Sequence, residues 1–148
     1  MTEKNSRQFQ TREKTNYLIN ELLAERKQVW SLYCCVAGVE SSPPGTTIED
    51  LLQKFCQISV DYISLGHFGL YQRIVEGNER RKAIIETAEE IYPQIAKATE
   101  AVLSFNDKYQ TVTPAKILNQ LSDDLSSLGE QLATRIELED QLINEMAA

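Results

Sequence analysis

Apolar residues recur every three or four positions along most of this chain, which is the spacing of one face of an α-helix. We call each such row a seam. The two clearest seams comprise Ile84, Ala88, Ile91, Ile95, Ala98, Val102 and Phe105, and then Leu118, Leu121, Leu125, Leu128, Leu132, Leu142 and Met146. Two earlier seams comprise Ile19, Leu23, Arg26, Trp30, Tyr33 and Ala37, and then Cys56, Val60, Ile63, His67, Leu70 and Ile74. No segment alternates apolar and polar residues with a period of two, so the sequence predicts helices and no strands.

Three breaks separate the four seams. The first is 38–47 (GVESSPPGTT), which is rich in glycine, proline and hydroxyl side chains, and its last residue, Thr47, is suited to cap the second helix. The second break is predicted at Gly77 and Asn78. The third is predicted at 107–113, where Thr113 is a candidate N-cap and Pro114 a candidate first helical residue. Four long helices with short connections predict an all-α, up-down-up-down four-helix bundle.

The length of 148 residues suits one domain with a substantial core. Residues 1–14 (MTEKNSRQFQTREK) are polar and lack a seam, so we expect a flexible or short helical arm there and a single bundle domain at 15–148. The arm lacks the apolar run of a secretory signal. No stretch approaches the roughly 18 apolar residues of a membrane span, so we expect no membrane association.

Charge and cysteine content narrow the possible partners and cofactors. Lys and Arg total 15 against 22 Asp and Glu, a formal charge of −7, which argues against general nucleic-acid binding. The three cysteines, Cys34, Cys35 and Cys56, have no disulfide or zinc-site spacing, and a reducing cytoplasm suits them best. The single histidine cannot supply the ligands of a di-iron bundle site. We therefore expect no metal and no cofactor.

Polar residues interrupt the apolar seams. Arg26 and His67 occupy seam positions, and the fourth seam passes through Arg135 and Glu139 between Leu132 and Leu142. Because unpaired charges are costly to bury, we expect Arg26, His67, Arg135 and Glu139 to form one hydrogen-bonded cluster inside the bundle, with Tyr71 one turn after the histidine.

This cluster has three interpretations. The most common role of such a group is an internal network that determines helix register. A polar cavity that admits a small ligand is the second interpretation, and it would make the protein a small-molecule sensor. Catalysis is the third and weakest, because no set of nucleophile, base and orienting group can be named.

Two surface patterns also carry information. The last helix is acidic, with one arginine, Arg135, against Asp123, Asp124, Glu130, Glu137, Glu139, Asp140 and Glu145. This pattern is either a solvated helix face or a surface that steers a cationic partner. On the second helix, Asp61, Leu65 and Phe68 follow one another at spacings of four and three. They form either a charged and apolar interface or the flank of the core.

Several of these segments resemble one family. The segment LLQKFCQISVDYISLGHFGLYQRI (51–74), with IYPQI (91–95), LSFNDKY (103–109) and LGEQLATRIELEDQLI (128–143), is similar to the regulator of sigma D family, Rsd and AlgQ. The resemblance covers roughly residues 17 to 146. Its most specific elements are Phe55-Cys56, Val60-Asp61-Tyr62, Gly66-His67-Phe68 and Leu138-Glu139-Asp140.

The resemblance implies a cytoplasmic, helical, non-enzymatic anti-sigma factor. Family members bind region 4 of the primary sigma factor and hinder its association with core RNA polymerase and with the −35 promoter element. The resemblance implies that Asp61 contacts this partner and pairs with a sigma arginine. Leu65 and Phe68 are expected partner-binding residues because they lie on the same stripe as Asp61. It implies no direct nucleic-acid contact and leaves other regulatory proteins open as further partners. A small-molecule-sensing bundle remains the alternative function.

Overall fold

The structure, a computed structural model, describes residues 2–72, 74, 81–110 and 118–147, with side chains at 13–72, 74, 81–110 and 119–146. These ranges contain four α-helices and no strand: α1 (Thr2–Val36), α2 (Ile48–Ser64), α3 (Lys82–Gln110) and α4 (Leu118–Ala147). A π-helical segment, Leu65–Tyr71, continues α2 without a break. The predicted all-α four-helix bundle is confirmed.

Each helix packs against its neighbour in the sequence, α1 on α2, α2 on α3, and α3 on α4. The fourth side of the bundle, between α1 and α4, is bridged by long side chains. Arg26 of α1 forms ion pairs with α4, and the hydroxyl of Tyr33 donates to the carbonyl of Leu125 at 2.8 Å. This side therefore depends on polar contacts as well as on apolar packing.

The predicted seams of α3 and α4 form much of the core. All seven α3 seam residues are buried, and so are the five α4 seam leucines from Leu121 to Leu142 whose side chains are described. Met146 is half-buried against the core. An aromatic chain from Trp30 through Tyr33, Phe55 and Phe105 to Tyr109 crosses from α1 to α3, with successive ring centroids 4.5–6.0 Å apart. The three-four spacing therefore identified the inward faces of both helices correctly.

The predicted seam of α1 is correct at Ile19, Trp30 and Tyr33, which are buried or packed against the core, and wrong at Leu23 and Ala37. The buried α1 residues are Ile19, Leu22, Val29 and Val36, whereas Leu23 and Ala37 are exposed. Both rows pass through Arg26 and both are apolar, so spacing alone does not separate them. The difference arises because packing against α2 selects the Leu22 row.

The first predicted break is confirmed. Gly38 and Gly45 have φ of 79° and 84°, values that favour glycine, and the chain between α1 and α2 has no regular structure. The Asp50 N–H donates to Oγ1 of Thr47 at 3.2 Å, so Thr47 is the N-cap of α2. The predicted breaks at Gly77 and Asn78, and at Thr113 and Pro114, lie outside the described residues. The helix α3 continues to Gln110, past the predicted start of the third break.

The division into an arm at 1–14 and a domain at 15–148 stays a prediction. The structure continues α1 through residues 2–14 as helix.

Candidate functional site

A fully enclosed ion pair lies at the centre of the bundle. Arg135 and Glu139 are one turn apart on α4, both have no exposed surface, and Nε of Arg135 donates to Oε1 of Glu139 at 2.9 Å. The seam leucines on either side of them, Leu132 and Leu142, are equally enclosed. The periodicity of α4 thus carries two charged groups into an aliphatic core.

A second arginine reaches Glu139 from α1. Nη2 of Arg26 lies 3.3 Å from Oε2 of Glu139, and Nη1 lies 2.7 Å from Oδ1 of Asp140. The Arg26 side chain is 11% exposed and that of Asp140 is 49% exposed. Arg26 therefore runs from the enclosed carboxylate to the surface and ties α1 to α4.

Tyr62 of α2 and Tyr71 of the π-helical segment complete the surroundings of Glu139. The Tyr62 hydroxyl donates to Oε2 of Glu139, and the Arg135 guanidinium lies 5.3 Å from the centroid of the Tyr62 ring. Burial raises the pKa of Tyr62, and the charge of Glu139 raises it further. Burial likewise raises the pKa of Tyr71, with Glu139 as the next cause. Both phenols are therefore neutral near pH 7, and Tyr62 serves as a hydrogen-bond donor.

The helix α3 also contributes to the network. Nη1 of Arg135 donates to Oγ1 of Thr99 at 2.7 Å, and Oγ1 of Thr99 donates to the Ile95 carbonyl at 3.0 Å. All four helices thus place a side chain in one group, which we call the polar cluster: Arg26, Tyr62, Tyr71, Thr99, Arg135 and Glu139.

The polar cluster brings together Arg26, Tyr71, Arg135 and Glu139, as expected from the sequence, but not His67. The His67 side chain is exposed, and its ring contacts the Phe68 ring edge to face, with centroids 4.9 Å apart. The internal position predicted for His67 is therefore wrong.

His67 lies within the π-helical segment. The Gln72 N–H donates to the His67 carbonyl, five residues back, and a π-turn uses more residues than an α-turn. The buried positions run through Tyr62 and Gly66 to Leu70 and Tyr71, so that Gly66 rather than His67 faces the core. His67 lies on the outside of this wide turn.

Gly66 occupies the inward position that the sequence pattern predicts for His67. A Cβ atom built on Gly66 would lie 2.9 Å from Nη2 of Arg135 and 3.5 Å from Oε1 of Glu139. The backbone of the π-helical segment therefore contacts the guanidinium directly. Sequence reasoning missed Gly66 as it missed Tyr62 and Thr99, because none of them breaks an apolar seam.

The polar cluster is built for internal pairing. Nη2 of Arg135, the Tyr71 hydroxyl and Oγ of Ser59 are buried and have no hydrogen-bond partner among the described residues. The remaining hydrogen bonds satisfy Glu139 from three sides. Such mutual pairing is typical of an internal network that determines helix register. The buried atoms without a hydrogen-bond partner are those that an internal ligand would bind.

The stripe of Asp61, Leu65 and Phe68 runs along α2 and the π-helical segment, offset from the face that carries the buried Tyr62 and Gly66. Asp61 is exposed and accepts a hydrogen bond from Gln57 at 3.2 Å. Leu65 is half-buried against the core, whereas Phe68 is 64% exposed. The stripe is therefore accessible at both ends.

Two glutamates of α1 make the surroundings of Asp61 more acidic. Burial raises the pKa of Glu25, and the negative charges of Asp61 and Glu21 raise it further. The Tyr17 hydroxyl donates to Oε1 of Glu21 at 2.8 Å, and Tyr17 is 61% exposed. Leu18 lies near the π-helical segment, since its Cδ2 is 3.4 Å from a Cβ built on Gly69. We call Tyr17, Glu21, Glu25, Asp61, Leu65 and Phe68 together the α1–α2 surface.

The acidic residues of α4 are in part neutralised within the fold. Glu139 and Asp140 pair with arginines, and Oδ2 of Asp124 lies 2.7 Å from Nζ of Lys108. Hydrogen bonds from Lys108 and Tyr109 hold the pKa of Asp124 below its usual value. The count of acidic residues along α4 thus overstates the charge that this helix offers a partner.

The described residues contain no metal-ligand set and no membrane-spanning helix. No group of three or more His, Cys, Asp or Glu side chains among them could hold a metal ion. Likewise, none of the helices in the described ranges is long and apolar enough to cross a bilayer.

Comparison with known proteins gives a consistent result. A family model described as "Regulator of RNA polymerase sigma(70) subunit, Rsd/AlgQ" matches residues 1–147. A "Regulator of sigma D" from Yersinia enterocolitica is 36% identical over 135 residues, which cover 87% of this chain and 80% of that protein. Proteins of the same name from Yersinia pseudotuberculosis and Enterobacter sp. are 34% and 33% identical, and each match covers 87% of this chain and 79% of the relative. No solved structure gives a significant match.

Proposed function

Because this chain belongs to the Rsd/AlgQ family of regulators of the RNA polymerase sigma(70) subunit, we propose that it is an anti-sigma factor. It binds region 4 of the primary sigma factor and hinders the association of that region with core RNA polymerase and with the −35 promoter element. It acts in the cytoplasm as a binding protein that performs no catalysis and contacts neither nucleic acid nor membrane. Other regulatory proteins remain candidate partners.

The observation that carries the proposal is the composition of the α1–α2 surface. The pKa of Glu25 is raised first by burial and then by the nearby charges of Asp61 and Glu21, so three carboxylates share this surface. The half-buried Leu65 and the exposed Phe68 continue the Asp61 stripe along the same helix. Charged groups that surround an apolar anchor are typical of specific protein interfaces.

The expected partner has the complementary charge. Region 4 of a primary sigma factor carries a basic helix-turn-helix that faces DNA phosphates. An acidic surface can pair with the same basic side chains in place of the phosphates. An arginine of the partner can pair with Asp61 through two parallel hydrogen bonds, which define the register of the complex. The neighbouring carboxylates increase the rate of encounter with a cationic surface.

Calorimetric titration of the full chain with purified sigma region 4 tests this proposal. We expect binding by the native protein and a loss of at least about tenfold in affinity for Asp61→Arg, because an attractive pair becomes a repulsive one. The matched control is Asp123→Arg, the same charge reversal at an exposed position on α4, which should retain most of the affinity.

Stability measurements separate this role from a structural one. Asp61 is exposed and its one described hydrogen bond is to an exposed glutamine, so Asp61→Ala should change the free energy of unfolding by less than about 0.5 kcal/mol. Failure of the native chain to bind region 4 would refute the proposed partner. Undiminished binding by Asp61→Arg would refute the proposed contact, and unfolding of Asp61→Ala would make Asp61 a structural residue.

The alternative, a small-molecule-sensing bundle, is favoured by one observation. The buried and unpartnered atoms of Ser59, Tyr71 and Arg135 could bind a small polar ligand between the helices. A metabolite that raises the melting temperature of the native protein, and does so less for Tyr71→Phe, would support this function. His67→Ala is the control, because the exposed His67 should not affect such a ligand.

A further inference from the structure

The π-helical segment carries Gly66 on its inner side and Phe68 on its outer side. Phe68 belongs to the α1–α2 surface and is 64% exposed, whereas Gly66 is buried against the polar cluster. π-Turns are rare and distort the helix locally, so a persistent π-turn needs a supporting contact. Here that contact comes from the core.

The Arg135 guanidinium provides this contact. Its Nη2 lies 2.9 Å from the position that a Cβ atom would take on any other residue in place of Gly66. The long arginine side chain has little freedom to move away. Its Nε is held by Glu139, its Nη1 by Thr99, and its plane lies over the Tyr62 ring.

We infer that Arg135, which no partner can reach, is a positioning residue for the proposed partner-binding surface. It holds the π-helical segment through Gly66 and so determines how Phe68 is presented beside Asp61. The inference rests on the proposed function only for the effect on binding. Its geometric part, that the Arg135–Gly66 contact determines the orientation of His67 and Phe68, holds for the free protein.

Two glycine substitutions in the same segment provide a matched test. In Gly66→Ala the new Cβ lies too close to the Arg135 guanidinium, which its hydrogen bonds hold in place. In Gly69→Ala the new Cβ meets the ends of two leucine side chains, Leu65 and Leu18, at 3.3 and 3.4 Å. The chemical change and the helix propensity are the same in both variants, and only the first disturbs the polar cluster.

The first readout is the NMR spectrum of the free, full-length protein. The His67 and Phe68 rings contact each other, so a change in their orientation alters their ring proton shifts. We expect clear shifts in Gly66→Ala and smaller ones in Gly69→Ala. Unchanged ring shifts in a folded Gly66→Ala protein would overturn the inference, whether or not the protein binds sigma.

The second readout is affinity for sigma region 4. We expect Gly66→Ala to lose about tenfold and Gly69→Ala to lose less than about threefold. Adding Arg135→Lys to Gly66→Ala should restore part of the affinity, because lysine keeps the charge and lacks Nη2. Equal losses for both glycine variants, with no recovery in the double variant, would overturn the inference.

A third variant keeps the test informative if Gly66→Ala does not fold. Thr99→Val removes the acceptor for Nη1 of Arg135 and adds no bulk beside the π-helical segment. It should shift the ring protons of His67 and Phe68 although Thr99 lies on α3. Absence of such a shift in the folded variant would count against Arg135 as the positioning residue. Failure of the native chain to bind region 4 would refute the proposed function and leave the ring-shift result to decide the geometric part.

Discussion

The guanidinium of Arg135 and the carboxylate of Glu139 form an ion pair within one turn of α4, and neither side chain has any exposed surface. Burying two charges costs several kcal/mol for each ion, so such a pair persists only where other groups complete its hydrogen bonds. Arg26, Tyr62 and Thr99 supply hydrogen bonds from the other three helices, and Nη2 of Arg135 is left without a partner among the described residues. The pair therefore links the register of α4 to that of the whole bundle.

Replacement of Arg135 by methionine should destabilise the protein strongly. The Glu139 carboxylate would remain buried with one partly exposed arginine as its cationic partner, and breaking a buried pair costs roughly 3 to 5 kcal/mol. Urea denaturation measures the loss in the free energy of unfolding. Lys82→Met is the matched control, since Lys82 and Glu86 form an exposed pair at 4.0 Å that should contribute less than about 0.5 kcal/mol.

A double variant tests whether the loss of stability in Arg135→Met comes from the buried Glu139 carboxylate, which that variant leaves without its main cationic partner. Arg135→Met combined with Glu139→Leu removes both charges and should recover much of the stability, because apolar replacement of a whole buried pair is often neutral. If the double variant is as unstable as Arg135→Met alone, packing of the arginine side chain rather than its charge dominates.

Gly129→Ala should destabilise the contact between α1 and α4. A Cβ on Gly129 would overlap the Tyr33 hydroxyl and lie 2.9 Å from Cζ of the ring. That ring is anchored because its hydroxyl donates to the Leu125 carbonyl at 2.8 Å. We expect a loss of about 1 to 3 kcal/mol, the usual cost of overpacking, in thermal or chemical denaturation.

The variant Tyr33→Phe provides the check on this explanation. In the Gly129→Ala background it removes the overlapping oxygen, so the double variant should be more stable than the sum of the two single effects indicates. Strict additivity of the two changes would show that Gly129 is not limited by Tyr33.

The stability that Asp124 contributes should depend on pH. Hydrogen bonds from Lys108 and Tyr109 place the pKa of Asp124 in the folded protein below its value of 3.8 in the unfolded chain. A carboxyl with a lowered folded pKa stabilises the fold above its unfolded pKa and loses that effect as the pH falls through its folded pKa. Above about pH 5 the native protein should therefore be more stable than Asp124→Asn by under about 1 kcal/mol, a size set by the partial exposure of the pair.

Acidification should remove this difference. Denaturation curves of both proteins between about pH 6 and pH 2.5 should converge as Asp124 becomes protonated in the folded state. A difference in stability that stays constant across this range would show that the amide disrupts packing and that the charge of Asp124 contributes nothing.

Glu25→Gln should have opposite effects on stability and on binding. The pKa of Glu25 is raised by burial and by the charges of Asp61 and Glu21, so its ionised form is unfavourable in the folded protein above its folded pKa. Removing the charge should stabilise the protein at pH 7 by up to about 0.5 kcal/mol, a small value because the site is near the surface. The same change should weaken the affinity for sigma region 4.

Measurement of both quantities on one preparation separates the two effects. Loss of affinity with unchanged or increased melting temperature supports a contribution of Glu25 to the proposed interface. Glu137→Gln on α4 is the control, since Glu137 is exposed and lies outside the α1–α2 surface. If both variants bind equally well, Glu25 has no part in partner binding.

Most of the helices and much of the polar cluster could be predicted from local spacing. The seams of α3 and α4 place Ile91, Val102 and Leu132 in the core, and the α4 seam carries Arg135 and Glu139 inward with its leucines. Such positions follow from the 3.6-residue period alone, because the spacing of residues along a regular helix determines which side chains lie on its apolar face. The cap at Thr47 follows in the same way from residue type.

The remaining features depend on contacts between helices. The α1 residues form two apolar rows, and packing against α2 selects Leu22 over Leu23. The π-helical segment places Gly66 inside, beside the guanidinium of Arg135, and His67 outside. The pairing of Asp140 with Arg26 joins residues far apart in the chain. The sequence by itself determined which helices form and which charges must be buried, whereas only the tertiary structure decided which groups neutralise them, since that depends on distances across the bundle.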